Sequence, residues 1–367
     1  MRDQRAEALA QILVRYSTKV EKGDVCVISS TTTAEPLAQL VYEEVLRAGG
    51  YPIVQLAPEG AAAAFYELAS DEQLDWVPPT AKWVAEESDV RITLMADSNV
   101  RELSQADPKK QARAQKARRP LLDTTMKRSA AGEHRWALTL FPTHAYAAEA
   151  SMSLSQYEDF YYAACLATDP EPVTAWARQS DEVQRLCEWI QGREEVHIKA
   201  PGTDIKLNVS GRTFIPCVGE HNMPDGEFFT GPHEDGVDGE VSFSFPAAYG
   251  GREVSGVKFR FREGKVVDAS AERGEDYLLE MLDTDDGARR LGELGIGTNY
   301  GIADATKEIL LDEKIGGTVH MAIGASYPES GGVNESAVHW DMVCDLREGG
   351  SITVDGTELQ RDGRFVV

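Results

Sequence analysis

The sequence predicts an α/β N-terminal domain with an open, mostly parallel sheet over residues 1–190. An α+β C-terminal domain rich in antiparallel strands follows over residues 191–367. Two rhythms carry this reading. Helical and strand-like segments alternate from residue 5 to about 150, the pattern of βαβ crossovers. Beyond about residue 190, apolar and polar residues alternate at period two between glycines, as half-buried antiparallel strands do. The length of 367 residues suits two domains of roughly 100–200 residues each.

Ala6, Leu9, Ile12, Leu13 and Tyr16 recur at helical spacing and predict an amphipathic helix over residues 4–17. The turn Glu21-Lys22-Gly23-Asp24 leads into Val25-Cys26-Val27-Ile28, a continuous apolar run of the buried parallel-strand type. A second helix places Leu37, Leu40, Val41, Val45 and Leu46 on one face and stops at Gly49-Gly50. Strands follow at 52–56, 90–94 and 136–141. A helix over 171–192, carrying Trp176, Leu186 and Trp189, bridges the two halves. The alternating stretches 195–199, 205–209, 239–245 and 257–261 are strands of the second half, with a helix near 274–291.

Composition excludes several function classes. Sixty-one acidic residues against 37 basic ones give a net charge of −24, which argues against a protein built to grip nucleic acid. No run approaches the ~18 apolar residues of a membrane span. The opening MRDQRAEALAQILVRYS mixes charges into a helical pattern, unlike a signal peptide, so a cytoplasmic protein without membrane partners is expected. The five cysteines, at 26, 165, 187, 217 and 344, lack paired spacing and read as reduced, mostly buried thiols. Lys109, Lys110, Arg113, Lys116, Arg118 and Arg119 read as a solvated helix face. No GxGxxG or GxxxxGK[ST] follows the first strand, so a nucleotide-binding domain is not expected.

Chemistry gathers beyond residue 220. In a strand, His339 and Asp341 of Val338-His339-Trp340-Asp341-Met342 project to one face as a pair of metal-ligand types. His320 lies in a second strand-like run, Gly317-Thr318-Val319-His320-Met321-Ala322. Glu227 is pressed against Phe228-Phe229, and Glu293 stands among apolar residues and glycines. A buried carboxylate is costly unless a positive charge neutralises it. A site for more than one metal ion and separate structural roles both account for these five residues. His134, His144 and His197 show no such company.

The segments NMPDGEFFTGP (222–232), LGELGIGTN (291–299), DEKIGGTVHMAIGASYPESGGVNESAVHWD (312–341) and DLREGGSITVDG (345–356) resemble the aminopeptidase T family of metallo-aminopeptidases. The resemblance extends through VEKGDVCVISSTTTAEPLAQLVYEEVLRAGGYPIV and PTHAYAAEASMSLSQYEDFYYAA, and so over nearly the whole chain. It implies a homodimer that removes N-terminal residues from peptides with a free N-terminus. It also implies two divalent ions per chain, zinc or cobalt first, manganese or magnesium next, in the C-terminal domain. By motif the ligands are Glu227, Glu293, His320, His339 and Asp341, with Glu293 and Tyr327 catalytic. The chain is somewhat shorter than typical members, with the loss in the N-terminal half. Two rival readings are a mononuclear iron ring-cleaving dioxygenase of the same fold family, which uses two histidines and one carboxylate, and a metal-binding protein whose activity has lapsed. Retention of both Glu227 and Glu293 disfavours the first, and Tyr327 in register disfavours the second.

Overall fold

A computed structural model describes residues 3–367. The chain forms two compact units, Met1–Trp176 with Gly219–Met223, and Ala177–Val218 with Pro224–Val367.

The first unit is built on a parallel sheet of β1 (Val25–Thr31), β2 (Tyr51–Ala57), β3 (Val90–Met95) and β4 (Arg135–Leu140) in the order β2-β1-β3-β4. A two-residue strand, Asn222–Met223, extends the sheet beside β4, which is why residues 219–223 belong to this unit. Cys26, Val27 and Ile28 in the central β1 are fully buried, as a strand covered on both faces requires. Helix α1 (Gln4–Gln11) is capped by Asp3, whose side chain accepts from the Arg5 amide. The helix expected over 4–17 changes character at Ile12: residues 12–17 take the wider π turn, ending where the Thr18 hydroxyl bonds the Leu13 carbonyl at 2.7 Å. Helix α2 (Glu35–Ala48) stops at Gly49, whose φ of 88° is the left-handed cap a glycine adopts without strain.

The basic cluster lies on α3 (Pro108–Ala130). Lys110 donates to the carbonyls of Tyr66, Glu67 and Ala69, satisfying a helix C-terminus. Arg113 pairs with Asp71 and Asp75, and Arg119 with Asp123. Much of this charge therefore serves local packing. Helix α4 (Pro172–Ile190) contains the division between the units, just after Trp176, whose indole donates to the Cys165 carbonyl at 2.7 Å.

The second unit is antiparallel. One eight-stranded sheet combines residues 195–208, 237–242, 258–270 and 351–365. A five-stranded sheet carries the chemistry: β5 (Ile215–Cys217), β6 (Glu227–Thr230), β7 (Leu291–Gly297), β8 (Thr318–Gly324) and β9 (His339–Asp345), in the order β9-β8-β7-β6-β5. Its inner face sends Phe228, Leu294, Ile296, Val319, Met321, Trp340 and Met342 into one core with Val196, Ile198, Ile205 and Leu207 of the larger sheet. The helix expected near 274–291 spans only Glu275–Leu282, because Asp285 accepts from the amides of Gly287 and Ala288 and turns the chain. Among the described residues, no helix is long and apolar enough to cross a membrane. All five cysteines are free thiols, four of them buried and Cys217 partly exposed.

Candidate metal centre

The opposite face of the five-stranded sheet is where the polar residues converge. Antiparallel register sets Asp341 opposite Ala322, and Ala322 opposite Glu293, so one row crosses three strands with a methyl group between two carboxylates. The next row sets Val343, His320, Gly295 and Phe229 side by side. A bulge at the start of β7, where Leu291 pairs with Ile323 and Glu293 with Ala322, turns Leu291 inward while Glu293 joins the polar face. Gly295 makes room for the imidazole. A Cβ there would lie 1.9 Å from Cε1 and 2.0 Å from Nε2 of His320. The hollow is thus built from small residues under long ones.

Both histidines are oriented from behind. Nδ1 of His320 lies 3.0 Å from the Glu313 carbonyl, and Nδ1 of His339 lies 2.8 Å from the Ala325 carbonyl. A carbonyl only accepts, so each Nδ1 carries the hydrogen and each Nε2 is free to face the hollow. His320 Nε2 is 3.3 Å from Glu293 Oε1 and 3.5 Å from Glu227 Oε2. His339 Nε2 is 3.3 Å from Glu293 Oε2 and 3.5 Å from Asp341 Oδ2. A lone pair facing a carboxylate oxygen repels it unless a cation, a proton or a metal, sits between them.

Without metal, protons take that part. Burial works against charge on His320, but Glu227 and Glu293 outweigh it and push its pKa up to about 10. His339 rises to about 9 against its burial, through Glu293 and Asp341. Burial raises Glu227 to about 8 and Asp341 to about 7. Burial also opposes ionisation of Glu293, but hydrogen bonds from both imidazoles hold it down at about 2. Two buried carboxylate oxygens, Glu227 Oε2 and Asp341 Oδ1, have no hydrogen-bond partner among the described residues. Nitrogen and oxygen donors in this number, with orphaned anionic oxygens, fit divalent cations.

Sequence reasoning missed two neighbours. Glu313 shares a metal-capable group with His320 and Asp341. Lys314 is fully buried, contacts the Glu313 carboxylate and stands 3.6 Å from Glu227 Oε1. The only available signal was their place in the turn before His320, which belongs to no periodic segment. Tyr327 stands at the open edge, 41% exposed, its ring edge-on to Phe229 at 5.3 Å and to His339 at 5.0 Å. Burial, then the charges of Glu293 and Asp341, push its hydroxyl well above the ordinary range, so it remains a proton donor. The other histidines serve elsewhere: His134 bonds the Ser88 carbonyl, His197 pairs with Asp204 and His221 stacks on Trp136. His144 opens a short helix, and His233 bonds the Ser210 carbonyl.

A β-sheet hollow lined by imidazole and carboxylate donors is the architecture of a metal-dependent enzyme. The chain belongs to the thermophilic metalloprotease (M29) family, whose model matches residues 2–365. It is 29% identical to Aminopeptidase T of Thermus thermophilus, over 98% of both chains. It is 26% identical to Aminopeptidase 2 of Geobacillus stearothermophilus, over 99% of this chain and 95% of that one. The structure of wild-type AmpT from Thermus thermophilus matches with a TM-score of 0.86 at 27% identity, over 99% of both chains. A 2,5-dihydroxypyridine dioxygenase from Pseudomonas putida matches with a TM-score of 0.59 at 14% identity, over 100% of this chain and 98% of that one, and shares the fold alone.

Proposed function

We propose that this chain is an aminopeptidase whose C-terminal unit holds two divalent ions through Glu227, Glu293, His320, His339 and Asp341. Membership of the metalloprotease family and similarity to named aminopeptidases support the activity. One observation carries the dinuclear reading: the two oxygens of Glu293 each face a different imidazole, at 3.3 Å, so one carboxylate flanks two cation positions. Two donor groups, Glu293–His339–Asp341 and Glu313–His320–Asp341, overlap at Asp341 in the same sense. Five side chains exceed what a single tetrahedral ion needs.

When bound, the ions would supply Lewis-acid chemistry, lowering the pKa of water toward neutrality and polarising the scissile carbonyl. The residues do the rest. The Glu293 carboxylate accepts a proton as water adds to the carbonyl carbon. It returns that proton to the leaving amine as the C–N bond breaks. The Tyr327 hydroxyl donates to the oxygen on which negative charge develops. Tyr327 and the 27% exposed His339 mark the open edge of the hollow and the approach for a peptide N-terminus. A cleft of about 200 Å³ adjoins Asp341, with Pro246, Ala247, Ala248, Ile309 and Val343 beside the charged Lys307, Glu308 and Asp312, and is the place assigned here to the first side chain of the substrate.

Zinc and cobalt suit mixed imidazole and carboxylate donors, and the absence of disulfides among five cysteines accords with a reducing cytoplasm. The homodimer stays part of this proposal on the family resemblance. The test is a panel of amino-acid p-nitroanilides offered to metal-stripped protein with zinc, cobalt or manganese. Metal-restored release from free, but not N-acetylated, substrates is expected. Equal cleavage of acetylated substrates would overturn the aminopeptidase reading, and ring cleavage of a dihydroxypyridine with a single iron would replace it.

A further inference from the structure

Resting on the two-ion reading, we propose that Lys314 is a fixed positive charge built into the metal centre that makes the cation position beside Glu227 and His320 the weaker of the two. Lys314 lies in the turn between Asp312 and β8 and its side chain has no exposure at all. A buried ammonium is costly unless paired, and this one is paired twice, with the Glu313 carboxylate and with Glu227 Oε1 at 3.6 Å. The field of Asp225 adds to theirs. Cys217, Asp225 and Glu227 form a third group of ligand types, and Lys314 is the cation beside it.

The consequence is an asymmetry between the two halves of the hollow. Glu227 is divided: one oxygen serves Lys314, and the other faces His320 Nε2 at 3.5 Å. Around Glu293, His339 and Asp341, no lysine or arginine forms an ion pair among the described residues. An ion beside Glu227 therefore shares its carboxylate with an ammonium and is repelled by it. An ion beside His339 has no ammonium paired to its carboxylates. In a hollow shielded from water, a unit charge one carboxylate away changes affinity by about tenfold or more. The same charge stands beside the Glu313 carboxylate when no metal is present.

The experiment is a Co²⁺ titration of the metal-stripped full-length protein, followed by visible d–d absorption and checked by chelator competition. Wild type is expected to bind two ions in two steps of unequal affinity. In Lys314→Met the weaker step should tighten about tenfold or more while the stronger stays put, and Lys314→Arg should preserve the split. Glu227→Gln, which keeps shape and leaves Lys314 its Glu313 partner, should lose only the weaker ion. A split unchanged in Lys314→Met, or loss of the tighter ion in Glu227→Gln, overturns the role of Lys314. A wild type that binds one ion overturns the two-ion reading itself.

Discussion

Gly295→Ala is the smallest perturbation that reaches the centre of the site. Its Cβ would stand 1.9 Å from His320 Cε1, whereas ordinary contact begins at about 3.4 Å, so the ring must retreat by about 1.5 Å. The ring cannot retreat that far and keep Nδ1 at 3.0 Å from the Glu313 carbonyl and Nε2 at 3.3 Å from Glu293. Metal ligands tolerate errors of only about 0.2 Å, so the ion beside His320 should be lost. A misplacement of about 1 Å in a catalytic constellation costs about 10²-fold in rate, and overpacking costs about 1–3 kcal/mol of stability. The assay is metal analysis of the purified variant together with kcat and the thermal midpoint. Two ions per chain with kcat within about threefold of wild type would refute the reasoning, because the ring would then have to share space with the methyl group.

Tyr327→Phe keeps the ring contacts to Phe229 and His339 and removes one oxygen, so kcat should fall by about 10²–10³ with little change in KM or metal content. More than half the wild-type kcat in steady-state assays would reduce Tyr327 to a packing residue. In the metal-free protein, His320, His339, Glu227 and Asp341 all hold protons more tightly folded than unfolded, with pKa values near 10, 9, 8 and 7. Stability therefore falls as pH rises from the unfolded to the folded values, and the thermal midpoint should drop between about pH 4 and pH 10. Saturating metal should flatten this profile, and a midpoint that rises with pH in the stripped protein contradicts it. Ala248→Phe fills the cleft beside Asp341 and should cut kcat/KM for large first residues by about tenfold or more while sparing alanine substrates. Equal loss on both substrates would move the first side chain elsewhere.

Local pattern made much of this architecture legible. The run Val25–Ile28 reads as a buried parallel strand because a strand covered on both faces has no polar side, and it lies centrally as β1. His339 and Asp341 read as a same-face pair because strand period fixes it. Register was not legible. Nothing in the spacing of Glu227, Glu293 and His320 says that β6, β7 and β8 are neighbours, and the bulge before Glu293 inverts the parity that counting would assign to Leu291. Glu313 and Lys314 lie in a turn, where no periodicity aims a side chain. The helix expected to run to residue 291 stops at Leu282, because Asp285 offers the backbone a competing partner.

The balance of charge in the hollow argues that its polar residues are there for cations rather than for one another. A structural ion-pair network is stable when each buried charge meets an opposite charge in good geometry, and even then apolar packing often does as well. Here four carboxylates, Glu227, Glu293, Asp341 and Glu313, face one lysine and two imidazoles, all within a few contacts. Even with both imidazoles doubly protonated, a state that the neighbouring acids enforce against burial, three positive charges face four carboxylates. Two carboxylate oxygens, Glu227 Oε2 and Asp341 Oδ1, accept no hydrogen bond, although the first lies 3.5 Å from His320 Nε2. Under the proposed two-ion reading, divalent ions in place of mobile protons would give the Nε2 lone pairs acceptors and would let Asp341 and Glu227 be anions at neutral pH. Gly295 and Gly297 let the His320 ring and the Ile315 backbone approach this face of the sheet closely.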